Sequence, residues 1–141
     1  MPHTSFTKEG FAAFRANDCA EPIHMLNLVR LRAQADYSDG REATGAAAYA
    51  AYGRGSEPVF RRLGGRIVWR GRMEQMLIGP ADESWDLCFI AEYPSAAAFA
   101  EMIRDPVYRA AMEHRQAGVA DSRLIRTAPL GHGGNFGDPA G

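Results

Sequence analysis

The chain has little cysteine, little lysine and no long apolar run. Its 141 residues include two cysteines, Cys19 and Cys88, which stand too far apart to indicate a disulfide framework or a metal-ligand pair. The longest uncharged apolar runs, such as residues 87–91, are far shorter than the roughly 20 residues of a membrane span. No charged segment followed by an apolar one opens the chain, as a secretory signal would. We therefore expect a cytoplasmic protein with reduced thiols and no membrane partner.

The charge pattern also excludes classes of partner. The formal net charge is −1, and no segment collects the excess of basic residues that phosphate-backbone binding requires. Nucleic acid is therefore not an expected partner. The four histidines are scattered, and no His-x-x-x-His pair occurs. The sequence predicts no metal site, and nothing in it indicates a cofactor.

The chain divides into three predicted parts. Residues 1–22 read as an N-terminal helical arm, because phenylalanines recur near helical spacing before a polar break. Residues 23–128 form the folded domain, whose size suits one hydrophobic core. Residues 129–141 are rich in glycine and proline and low in apolar residues, which predicts a flexible tail.

Within the domain, the pattern predicts a strand, a helix, two strands, a helical layer and a last strand. Thr44, Ser95 and Asp105 are placed to cap helices, with Pro106 in the first turn after Asp105. The order is that of a ferredoxin-like βαββαβ domain of the α+β class. A four-stranded antiparallel sheet would carry its helices on one face and leave the other face bare.

The segment after Gly64-Gly65 is the clearest predicted strand. We expect it to run from Arg66 to about Ile78, with Ile67 and Trp69 on an apolar face and Arg66, Arg70 and Arg72 on the opposite face. The three arginines would form a row exposed to solvent or to an interface and paired with acidic residues.

The predicted sheet has more apolar surface than one helical layer covers. The residues responsible are Trp69, Trp85, Leu87 and Phe89. A bare apolar sheet face is typical of a contact with a second copy, so we expect a twofold homodimer.

Five segments in succession resemble the domain-of-unknown-function family 1330. They are Tyr49-x-x-Tyr52, residues 64–71, residues 90–95, Asp105-Pro106-x-Tyr108, and His114-Arg115 followed by residues 121–124. The resemblance implies a dimeric alpha-beta barrel, a superfamily that includes cofactor-free monooxygenases, isomerases and haem enzymes. Such a fold does not by itself name a reaction.

Arg115 is the most informative candidate for a binding residue. Its spacing from Tyr108, Ala111 and Met112 places it on the helix stripe that should meet the sheet, where a guanidinium needs a partner. One alternative is a structural salt bridge, with Glu92 as the candidate acid. The other is an anchor for a carboxylate or enolate in a pocket between helices and sheet.

Other residues could complete such a pocket. Asn27 interrupts an apolar strand, and its amide either bonds neighbouring backbone or, by analogy with cofactor-free oxygenases, positions an oxygen beside Trp69. Tyr52 and Tyr108 are core aromatics whose hydroxyls could reach a ligand. His114 is either a surface residue or a general base.

Two function classes follow. The first is a protein that binds or transforms a small aromatic or acidic metabolite. This class includes a reaction that resembles that of cofactor-free monooxygenases. The second is a non-catalytic dimeric interaction or structural module. A cavity of roughly 300 Å³ or more with converging polar groups would favour the first.

Overall fold

The computed structural model describes residues 2–138 and confirms the predicted ferredoxin-like fold. Its helices and strands are α1 (Lys8–Ala16), β1 (Ile23–Leu31), α2 (Gly45–Arg62), β2 (Arg66–Gly71), β3 (Leu87–Tyr93), α3 (Ala96–Arg104), α4 (Pro106–Gly118) and β4 (Val119–Thr127). The strands form one antiparallel sheet in the order β2-β3-β1-β4. Among the described residues, no helix combines the length and apolar composition needed to cross a bilayer.

The predicted helix caps are formed. The side chains of Thr44 and Ser95 each accept a hydrogen bond from a backbone N–H in the first turn of α2 and α3. Asp105 accepts from the backbone of Val107 and Tyr108 at the start of α4. These bonds satisfy amide groups that have no partner within the helix.

The core lies between one side of the sheet, here called the helix face, and the helices. Met25, Ala91 and Tyr93 from the sheet are buried in one cluster with residues of α2, α3 and α4, including Phe99. The other side of the sheet, the open face, carries Leu26, Leu28, Cys88 and Ile90, because side chains alternate along each strand.

The N-terminal arm is helical, as predicted, and packs on this core. Thr7 caps α1, and the Phe14 ring lies 5.1 Å from the Phe99 ring. Residue 1 of the predicted arm lies outside the described residues. Residues 128–138 contain no helix or strand, and the last three residues of the predicted flexible tail lie outside the described part. Flexibility of that tail stays a prediction.

A β-bulge in β2 corrects the predicted alternation. Ile67 pairs with Ala91, whereas Trp69 pairs with the adjacent Ile90, so one extra residue is inserted between them. An extra residue reverses the side to which later side chains point. Trp69 therefore lies on the open face, and Arg70, which pairs with Phe89, lies on the helix face.

Another expectation about the sheet is wrong. The strand that was predicted to reach Ile78 ends at Gly71, and residues 72–86 form a connection with no strand. Leu87 and Phe89 lie on the helix face because they pair with Val29 and Asn27. Apolar residues of the open face include Leu26, Leu28, Trp69, Ile90 and Ile125.

Candidate functional site

A cavity of about 1350 Å³ lies between the helix face and the helices. Asn27, Phe89 and Arg70 lie side by side on its sheet wall, in one row across β1, β3 and β2. Helices α2 and α4 contribute tyrosines and Arg115. The volume exceeds the range of about 300–1,000 Å³ that is usual for small-molecule sites, so a multi-ring ligand has room.

The N-terminal arm forms another wall of this cavity. The backbone N–H of His3 donates to Asp121 Oδ1 over 2.8 Å, and Ser122 Oγ donates to the His3 carbonyl over 2.7 Å. Phenylalanines of the arm, of α2, of β3 and of α3 line the interior: Phe6, Phe11, Phe14, Phe60, Phe89 and Phe99. The arm therefore closes the cavity at the β4 edge and makes much of its surface aromatic.

Arg115 lines the cavity and has only neutral partners. Its Nη1 donates to the Thr4 carbonyl over 2.7 Å, and its Nη2 lies 3.4 Å from Ser122 Oγ. Within residues 2–138 no carboxylate comes within salt-bridge distance of this half-buried guanidinium. The alternative of a bridge to Glu92 is wrong, because Glu92 lies on the open face, where it contacts His24 and Arg66.

Three tyrosines present neutral hydroxyl groups near Arg115. The hydroxyls of Tyr52 and Tyr108 are 2.8 Å apart, and Tyr49 stacks at a tilt against Tyr52. Burial raises the pKa of Tyr49 and of Tyr52, and that of Tyr108 to about 12. The positive charge of Arg115 acts in the opposite direction on all three groups without cancelling the effect of burial. All three hydroxyls are protonated at neutral pH, and one of their hydrogens is used in the bond between Tyr52 and Tyr108.

Asn27 combines a structural bond with a free acceptor. Its Nδ2 donates to the Met25 carbonyl over 3.0 Å, which is the neighbouring-backbone contact that the sequence allows. Its Oδ1 accepts no hydrogen bond from any described residue, and Asn27 lines the cavity. An amide at this position can therefore accept from, or donate to, a ligand.

The structure brings four of the six predicted site residues together. Asn27, Tyr52, Tyr108 and Arg115 line the cavity. Trp69 lies on the open face, and His114 lies outside the cavity lining, where its Nδ1 is 2.7 Å from the Tyr37 hydroxyl. The Asn27–Trp69 arrangement of the oxygenase analogy is therefore not formed within this chain.

Sequence reasoning missed six of the seven arginines in the cavity lining. Arg54, Arg70 and Arg126 line the cavity and, within residues 2–138, form no salt bridge. Arg126 instead contacts the arm, where its guanidinium lies 4.8 Å from the centre of the Phe14 ring. The strand pattern of β2 placed Arg70 on the opposite face, and only knowledge of the bulge would have reversed that assignment. No three His, Cys, Asp or Glu side chains of the described chain are grouped so that they could hold a metal ion.

A family model describes most of the domain. The model of the domain of unknown function family (DUF1330) matches residues 40–127, from before α2 to the end of β4. The chain belongs to the DUF1330 family. The matched range contains Tyr52, Tyr108 and Arg115, whereas the arm and Asn27 precede it.

Solved structures give the same fold. The chain is 70% identical to the methylated RPA0582 protein, with a TM-score of 0.92, covering 94% of this chain and 98% of that one. A second structure of RPA0582, a protein of unknown function from Rhodopseudomonas palustris, is 68% identical with a TM-score of 0.91 and covers 94% of this chain and 100% of that one. SnoaB, a cofactor-independent oxygenase from Streptomyces nogalater, is 15% identical with a TM-score of 0.52, covering 82% of this chain and all of that one, and shows a shared fold alone. No curated protein matches the chain.

Proposed function

We propose that the protein binds a small aromatic carboxylate, or the corresponding enolate, in the cavity between sheet and helices. The observation that carries this proposal is the Arg115 guanidinium, which faces a large cavity and has, among the described residues, only a backbone carbonyl and a serine hydroxyl as partners. The neutral partners leave the charge of this half-buried guanidinium unbalanced, which favours an anionic ligand. A ligand carboxylate would supply that charge.

Arg115 has the donors that such a ligand requires. A guanidinium carries five N–H groups, and the contacts with Thr4 and Ser122 use one group each on Nη1 and Nη2. The remaining N–H groups can bind both oxygens of a carboxylate, which is the geometry that arginine favours. The hydroxyls of Tyr52 and Tyr108 bond to each other, so this pair has one O–H left as a neutral donor for another oxygen of the ligand.

The proposal that the ligand is aromatic depends on the residues of the cavity walls. Six phenylalanine rings line the cavity, and the ring of Phe89 lies between Asn27 and Arg70 on the sheet wall. Apolar and aromatic walls bury the body of a ligand, while a few polar groups set its orientation. An aromatic acid fits both parts of this lining.

A thermal-shift experiment with a matched pair of probes tests the proposal. Naphthoate carries the carboxylate, whereas naphthamide has the same rings without the charge. A ligand that binds only the folded state at ten times its Kd stabilises it by about 1.4 kcal/mol. We expect naphthoate, and not naphthamide, to raise the Tm of the wild-type protein by about 4–5 °C.

Two variants separate the charge of Arg115 from its role in holding the arm. Arg115→Gln removes the charge but keeps an N–H donor for the Thr4 carbonyl. Arg109→Gln changes an exposed arginine of the same helix outside the cavity lining. The naphthoate shift should disappear in Arg115→Gln and persist in Arg109→Gln. Equal shifts in all three proteins, or none in the wild type, would contradict the proposal.

A cofactor-free oxygenase reaction is a second candidate, and the free Oδ1 of Asn27 on the cavity wall favours it. In such a reaction, an activated CH₂ group of the substrate becomes a C=O group. One atom of O₂ enters the product and the other leaves as water, with all electrons coming from the substrate. Trp69 lies on the open face, so the tryptophan that the oxygenase analogy places beside Asn27 is missing from the cavity. Oxygen consumption with a bound aromatic acid, lost in Asn27→Ala, would support it, and unchanged ligand after aerobic incubation would exclude it for that ligand.

We also propose that the open face joins two copies in a homodimer. Trp69 is 49% exposed and Ile125 46% exposed on this face, beside Leu26, Leu28 and Ile90. A sheet face of this composition is stabilised by contact with a second apolar face. The dimer is compatible with the binding function and also with the alternative, a non-catalytic interaction or structural module.

Sedimentation at micromolar concentration tests the dimer. We expect the wild-type protein to sediment as a dimer and Trp69→Glu as a monomer. Val107→Glu is the matched control, because Val107 is 54% exposed on α4, away from the sheet. A monomeric wild type would overturn the proposal. A dimer that binds no aromatic carboxylate would favour the interaction module.

A further inference from the structure

We infer that the ligand of this cavity carries two anionic groups at opposite ends, one bound by Arg115 and the other by Arg70. The inference rests on the proposed function and extends it from an aromatic carboxylate to an elongated dianion. The charge of the lining is the first support. Within the described part of the chain, seven arginines line the cavity, and a single acid of the lining, Glu57, is paired with Arg61 over 2.6 Å.

The cavity is positive although the protein is almost neutral. The formal net charge of the chain is −1, with seventeen acids, yet those acids pair with only three of the lining arginines: Arg61, Arg66 and Arg123. The other four have no carboxylate partner among the described residues: Arg54, Arg70, Arg115 and Arg126. A concave site lined by one sign of charge concentrates ligands of the opposite sign. One carboxylate would neutralise one of these four cations.

The positions of Arg115 and Arg70 define two separate subsites. Arg115 reaches Ser122 on β4, whereas Arg70 lies on β2, and these strands are the two edges of the sheet. Three interstrand spacings separate them, which amounts to about 14 Å between backbones. A carboxylate held by Arg115 beside Ser122 would lie at the opposite edge of the sheet from the backbone of Arg70. A molecule with an anionic group at each end would span the sheet between the two arginines.

The surface between the two subsites suits a flat, rigid body. Phe89 and Asn27 occupy the row between Arg70 on β2 and Leu124 on β4. An aromatic ring system lying along this row would contact the Phe89 ring and the Asn27 amide. One end of the ligand would point towards Arg70, and the other would point towards Arg115 beside β4. Exposed Arg54 on α2 adds a further cation to the lining.

Two probes of the same shape test the inference: biphenyl dicarboxylate with one carboxylate at each far end, and biphenyl monocarboxylate. Isothermal titration calorimetry would give the Kd of each probe with wild type, Arg70→Gln and Arg72→Gln. Arg72 is the matched control, because it is an exposed arginine two residues further along the chain and outside the cavity lining. A further charge-assisted hydrogen bond should make the dicarboxylate bind at least about tenfold more tightly to the wild type.

The expected pattern is specific. Arg70→Gln should abolish the advantage of the dicarboxylate and leave the Kd of the monocarboxylate unchanged, while Arg72→Gln should change neither value. If the wild type binds both probes equally and Arg115→Gln binds neither, the proposed function stands and the two-anion inference is wrong. An advantage that survives in Arg70→Gln also overturns the inference. If neither probe binds at millimolar concentration, the proposed function fails as well.

Discussion

The packing of the arm on the core provides a prediction whose size follows from the structure. Phe14 is half-buried, lies 5.1 Å from Phe99 between ring centres and has the Arg126 guanidinium 4.8 Å above its ring. Full burial of a phenylalanine contributes about 1.5–3 kcal/mol, and half-burial roughly half of that. The aromatic pair and the cation–π contact each add about 0.5–1 kcal/mol. Phe14→Ala should therefore lower the free energy of unfolding by about 2 kcal/mol.

The assay is thermal unfolding followed by circular dichroism. For a chain of 141 residues, a loss of about 2 kcal/mol corresponds to a fall in Tm of about 6–8 °C. Arg15→Ala is the control, because this exposed neighbour on α1 lies outside the cavity lining. A surface substitution of that kind should change the stability by less than about 0.5 kcal/mol.

One result would refute the reasoning. If Phe14→Ala leaves the Tm unchanged while the amides of α1 lose protection from hydrogen exchange, the arm unfolds separately from the domain. The arm would then be a removable cover over the cavity. The bonds from His3 to Asp121 and from Ser122 to His3 would contribute little to global stability. A fall in Tm of the stated size shows that the arm and the domain unfold together.

Three further predictions concern other contacts. Contacts with Arg66 first and then with His24 hold the pKa of Glu92 below its ordinary value of 4.5. The ionised Glu92 therefore stabilises the fold above pH 4.5, and this contribution is lost as the pH falls through the lowered pKa. The Tm of Glu92→Gln should fall less steeply below pH 4.5 than that of the wild type, and parallel curves would contradict this. Tyr52→Phe and Tyr108→Phe, singly and together, should show a coupling energy of about 0.5–1.5 kcal/mol for their hydroxyl pair, whereas additive losses measured in urea would exclude a direct bond. Gly45→Ala should destabilise the protein by about 3 kcal/mol or more, because the new Cβ would collide with the backbone of Arg32. Gly53→Ala on the same helix has open space around the new Cβ and should stabilise the protein by about 0.5–1 kcal/mol. Equal effects of the two substitutions in urea unfolding would contradict the steric argument.

The fold was predictable because its signals are local. Thr44, Ser95 and Asp105 mark helix starts through side chains that bond to amides two or three residues away. The alternation within β3 is regular and gave the correct faces for its residues relative to each other. Element order then selects the ferredoxin-like topology, since few other arrangements connect these elements without crossings.

The bulge and the docking of the arm are not local in this sense. The run from Arg66 to Arg70 reads as a regular alternating strand, and nothing in its side chains indicates the residue inserted between Ile67 and Trp69. A single insertion exchanges Trp69 and Arg70 between the faces, and it moved one predicted site residue out of the cavity. The arm binds the domain partly through backbone atoms of His3 and Thr4, which any sequence provides.

The position of Arg115 shows how far sequence reasoning about the site could have gone. Its helical spacing correctly placed it on the cavity side of α4, where its side chain meets the arm and β4. Glu92 alternates with Ala91 and Tyr93, and these two neighbours were already assigned to one face with the apolar residues of β3. An acid on the opposite face of the sheet cannot reach a guanidinium above the helix face without crossing the sheet. The predicted alternation alone therefore excluded a salt bridge from Arg115 to Glu92, whereas only the structure shows that no other carboxylate of residues 2–138 lies within salt-bridge distance of this guanidinium.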